Sequence, residues 1–118
     1  MIRGGLVTLY VRDMDRAVRF YVETLGMKLV EEAGEAWAVI DAGEGFRIGL
    51  ALLAATAKVE GRGAFTPSVR LLPKVPIGEA VAIFENRGVR FDVKEEGAST
   101  LAHFRDPDDN LLCLVQER

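Results

Sequence analysis

Two short segments, Leu25-Gly26-Met27-Lys28-Leu29 and Arg87-Gly88-Val89-Arg90-Phe91, repeat one pattern at an offset of 62 residues, and that repeat limits the fold more than any other feature. The elements around each follow the same order. Ahead of the first, Val7, Leu9 and Val11 alternate with Leu6, Thr8 and Tyr10, the two-residue period of a strand with one face packed on its own domain. Past Asp13, whose carboxylate suits the free N–H groups of a first helical turn, Met14, Ala17, Val18, Tyr21 and Leu25 take helical spacing. Gly26 stands where a left-handed C-terminal cap is expected. Ahead of the second, Ser68 to Leu72 alternates as a short strand, Ile77, Ala80, Val81 and Phe84 have helical spacing, and Gly88 ends the run. The pattern predicts an α+β fold of two βαβββ modules related by a pseudo-two-fold axis, forming a cupped mixed sheet with the helices on its outer face. Paired sheets of this kind enclose a concave surface, and ligands favour clefts.

The remaining strands follow from alternation and turn residues. Met27 to Glu32, Ala36 to Asp41 and Phe46 to Leu52 read as strands in the first half, with turns at Ala33-Gly34-Glu35 and Ala42-Gly43-Glu44-Gly45. Phe46, Ile48, Leu50 and Leu52 form the set expected to pack under the first helix, which leaves Arg47, Gly49 and Ala51 facing the cleft with room above them. In the second half, Val89 to Lys94 and Thr100 to Arg105 are strands, and Asp106-Pro107-Asp108-Asp109-Asn110 is turn chemistry leading into a closing strand. Pro76 is placed at the first position of the second helix, where its missing N–H is not needed, with Val75 at the cap position and no side chain there to cap it. Residues 1–118 make one domain by size, with repeats at about 1–54 and 67–118 and a linker at 55–66. A linker of that length also lets two subunits exchange halves.

Composition removes several function classes. A formal charge of −3 with scattered basic residues gives no footprint for nucleic acid or for an anionic membrane. No apolar run approaches the roughly 20 residues that cross a bilayer. The single cysteine, Cys113, excludes an internal disulfide, and Met-Ile-Arg-Gly-Gly at the start lacks the features of a signal peptide, so a cytoplasmic location is expected.

The strand into Val11-Arg12-Asp13-Met14-Asp15-Arg16-Ala17-Val18-Arg19-Phe20-Tyr21, the Leu25-Gly26 helix end and Phe104-Arg105-Asp106-Pro107-Asp108-Asp109-Asn110-Leu111-Leu112 together resemble the vicinal-oxygen-chelate superfamily, which includes glyoxalase I, extradiol dioxygenases and bleomycin-resistance proteins. Asp109 departs from the glycine usual in that turn, so backbone strain is expected there without a change of fold. The resemblance implies, for metal-dependent members, a divalent ion held on inward-facing strand positions and completed by adjacent oxygens of the substrate. Carried over by position, those ligands fall at Leu6, at Ser68 or its neighbour Val69, at Gly49 and at Cys113. Leucine and glycine offer no side-chain donor, and a neutral serine is a poor ligand for a divalent cation. No metal and no cofactor are therefore expected.

The candidate ligand-binding residues are Leu6, Thr8, Tyr10, Trp37, Arg47, Gly49, Ser68, Arg70, His103 and Cys113. Tyr10 and Trp37 suit stacking on a planar ligand, although Trp37 and Val39 fit the helix-packed face equally well. Arg47 and Arg70 have the phase to hold a carboxylate or phosphate, or equally to stand as rim arginines in surface ion pairs. His103, the only histidine, reads either as a group that orients a ligand or moves a proton, or as a surface histidine. Cys113 reads as a small buried hydrophobe, since no cationic neighbour or helix N-terminus is visible to lower its pKa. The function expected is metal-independent binding of a small, partly apolar molecule in a cleft, similar to the bleomycin-resistance branch, whose members act as homodimers. The alternative is a lyase, isomerase or dioxygenase of the same superfamily with a divergent metal site or with His103 as base.

Overall fold

The computed structural model describes Met1, residues 5–53 and residues 68–118, so the linker expected at 55–66 lies outside the described residues. The first module runs β1 (Val7–Val11), α1 (Met14–Arg19), β2 (Lys28–Ala33), β3 (Trp37–Gly43) and β4 (Phe46–Leu52). Its sheet has the order β1-β4-β3-β2, with β1 parallel to β4 and the other pairs antiparallel. The second module repeats this plan with β5 (Val69–Leu71), α2 (Ile77–Glu85), β6 (Asp92–Glu96), β7 (Ser99–Arg105) and β8 (Leu111–Glu117), in the order β5-β8-β7-β6. The chain thus forms two compact units, each a βαβββ module with its helix against one face of its own sheet.

Each helix buries part of the face that its spacing predicts. Val18, Leu25, Ile77, Val81 and Phe84 are half-buried, and Phe46 and Leu52, expected under the first helix, are each 39% exposed. Met14, Ala17 and Tyr21 are buried on the side of α1 that meets β3 and β4, together with Val11, Ala38, Ile40, Ile48 and Leu50. In the second module Ala80 is buried where α2 meets β7 and β8, whose Ala102, Phe104, Leu112 and Leu114 are buried. The Phe91 and Phe104 rings meet with centroids 5.1 Å apart. Among the described residues, no helix lies on the opposite face of either sheet.

The two helices start differently. Asp13 caps α1 from within the local sequence, its Oδ1 accepting from Arg16 N at 3.1 Å. In α2 the cap residue is Pro76 and the first helical residue is Ile77, one position later than the sequence suggests. Proline has no side-chain acceptor, and the free Ile77 N–H is taken instead by Gln116 Oε1 of β8, at 2.5 Å. Gln116 therefore supplies over a long range what a serine or aspartate supplies locally. Gln116→Ala is expected to cost about 1–2 kcal/mol, the worth of a helix cap, measured as a fall in the urea midpoint; no change would show that water replaces the bond without loss.

Past Arg19, α1 widens into a π-helical turn over Phe20–Thr24, with Leu25 N donating to Phe20 O at 3.0 Å. Gly26 lies thirteen positions after Asp13 and Gly88 twelve after Pro76, so the widened turn absorbs the extra residue. Gly26 and Gly88 take φ of 79° and 91°, the left-handed caps expected from the repeat. After Gly88 the Val89 N–H closes back on Phe84 O at 3.1 Å, which explains why β6 begins at Asp92 and not at Val89.

Candidate functional site

Strand register decides which candidate side chains share the helix-free face of the first sheet. Thr8 stands opposite Gly49, Tyr10 opposite Ala51, Val39 opposite Gly49, Trp37 opposite Ala51 and Asp41 opposite Arg47. Residues directly opposite share a face, so Thr8, Tyr10, Trp37, Arg47 and Gly49 lie together, and Trp37 sides with Tyr10 rather than with the helix. Leu6 joins them. A Cβ built on Gly49 would collide with Trp37 Cη2 and lie 3.0 Å from both Trp37 Cζ2 and Leu6 Cδ1. Gly49 does not leave an open space, as its size suggests; the Trp37 indole lies over it, and glycine is the residue that permits this approach. Tyr10, 54% exposed, is the most accessible aromatic group on this face.

In the second sheet Arg70 stands opposite Cys113, Cys113 opposite His103 and His103 opposite Asp92. These four form one row across β5, β8, β7 and β6 on the face away from Ala102, Phe104, Leu112 and Leu114. Ser68 precedes β5 and is exposed. His103 is half-buried, and its Nδ1 is buried with no hydrogen-bond partner among the described residues. Sequence reading does not single out Asp92, which lies on an edge strand of alternating charges; only the pairing of β6 with β7 sets it beside the imidazole.

Cys113 is 1% exposed, and its thiol donates weakly to Leu114 O at 3.4 Å. Burial pushes its pKa up; Arg70 and a backbone group of Ala102 lower it in part, and Glu96 adds to the rise. The sequence shows no cation near this thiol, whereas the fold brings Arg70 beside it, and desolvation still prevails. An unfolded chain releases this proton near the ordinary thiol range, roughly pH 8.5, while the folded chain keeps it. The resulting contribution to stability is complete below that pH and is lost as pH climbs toward the folded pKa. Cys113→Ala is expected to flatten the alkaline fall in stability, and the wild-type thiol is expected to react slowly with thiol reagents at neutral pH. Fast labelling of folded protein would contradict this account.

The positions at which the superfamily holds its ion do not suit one here. Leu6 and Gly49 have no side-chain donor atoms, the Trp37 indole and Leu6 both approach Gly49, and among the described residues no three His, Cys, Asp or Glu side chains converge. A divalent cation needs three or four such ligands.

The model of the Glyoxalase/Bleomycin resistance protein/Dioxygenase superfamily matches residues 5–114. The two βαβββ modules of the chain are consistent with the glyoxalase fold. The chain belongs to that superfamily, as the resemblance of its motifs implies. No curated protein matches it in sequence. Among solved structures it is similar to TnmS3, an antibiotic-binding protein from a Streptomyces species, with 26% identity, a TM-score of 0.75 and coverage of 100% of this chain and 99% of the other. It also resembles lactoylglutathione lyase from Agrobacterium tumefaciens (16%, TM-score 0.76, 96% and 93% covered) and a glyoxalase/bleomycin resistance protein/dioxygenase from Alicyclobacillus acidocaldarius (20%, 0.72, 96% and 89%). At the last two identities the likeness concerns the fold alone.

Proposed function

We propose that the chain binds a small, planar, partly apolar molecule on its helix-free sheet faces and does so without a metal ion. The observation that carries this reading is the close approach of the Trp37 indole and of Leu6 to Gly49, at positions where the resemblance implies ligating side chains in metal-dependent members. An aromatic surface with Tyr10 and Thr8 beside it offers stacking area and hydroxyl groups, the combination that fixes a planar ligand. The likeness to an antibiotic-binding protein over the full length of both chains supports binding over turnover.

Trp37 is the only tryptophan, so its fluorescence reports on this face directly. Protein treated with a chelator and titrated with planar aromatic compounds such as 2-naphthamide is expected to show changed Trp37 emission and a raised melting temperature. At a ligand concentration of 100 Kd the stabilisation is about 2.7 kcal/mol. Tyr10→Ala is expected to weaken binding by up to about tenfold, the worth of one stacked ring. Binding that disappears with the chelator and returns with a divalent metal would instead support a lyase, isomerase or dioxygenase.

A further inference from the structure

We draw no further inference here: the strongest candidate, the row of Tyr10, Ala51 and Trp37 across the helix-free face of the first sheet, belongs to the site already described.

Discussion

Gly49→Ala is expected to destabilise the protein by about 1–3 kcal/mol, the range for forcing an extra methyl into a packed position. The added Cβ would overlap Trp37 Cη2 and press on Leu6 Cδ1, so the indole must swing away or β4 must shift. Elsewhere in a strand the same change is favourable, because alanine loses less backbone freedom on folding than glycine does. The sign of the effect therefore tests the close approach itself. A double-mutant cycle with Trp37→Leu sharpens it: the alanine should cost far less once the indole is gone, with a coupling of about 0.5–3 kcal/mol between the two positions. Purely additive effects in urea denaturation would mean that Trp37 does not lie over Gly49 in solution. The same substitution should reduce ligand-induced changes in Trp37 emission, because it displaces the surface on which the ligand is proposed to stack.

A larger loss is expected from Asp106→Ala. The Asp106 side chain is 4% exposed, its Oδ1 accepts from Asp108 N at 2.9 Å and from Asn110 N at 2.8 Å, and its Oδ2 accepts from Asn110 Nδ2 at 2.8 Å. The backbone closes the same turn, with Asp106 N donating to Asn110 O and Asp109 N to Asp106 O, both at 3.0 Å. Alanine removes the acceptor of three donors, and each such loss costs about 1–3 kcal/mol, so a total of at least about 3 kcal/mol is expected. Asp106→Asn keeps an oxygen for the two backbone donors and loses the acceptor facing Asn110, and should cost about 1–2 kcal/mol. Chemical denaturation of the two variants gives the order; a cost below about 1 kcal/mol for the alanine would mean that the turn is held by its backbone alone. The turn matters beyond stability, because β7 and β8 on either side of it carry His103 and Cys113.

The same turn marks how far a sequence can be read. Asp-Pro followed by Asp-Asp-Asn announces a turn, and the left-handed φ of 69° at Asp109 falls where a glycine would ordinarily stand. The burial of Asp106, Asp108 and Asn110 was not legible, because residue type signals hydrogen-bonding capacity and not whether a carboxylate turns inward to collect the N–H groups around it. Strand and helix order was legible from period and glycine placement, since both record backbone geometry within a few residues. Alternation alone also put Thr8, Tyr10, Arg47 and Gly49 on one face. It left Trp37 undecided, and the pairing of β3 with β4 resolves it. The row from Arg70 to Asp92 depends on the register of four strands, a long-range property that no local pattern contains. The missing cap of α2 was visible in the sequence, but its replacement by Gln116 was not, for the same reason.

That replacement has a bearing on the order in which the modules consolidate. The first module closes its helix with Asp13, three residues from the N–H it serves. In the second, the amide at Ile77 waits for a glutamine 39 positions further on. A ribosome making about 5–20 residues per second delivers Gln116 a few seconds after Ile77, and its exit tunnel holds the partner back for longer still. During that interval the nascent second helix has an open first turn, while the module already synthesised has every strand it requires to assemble.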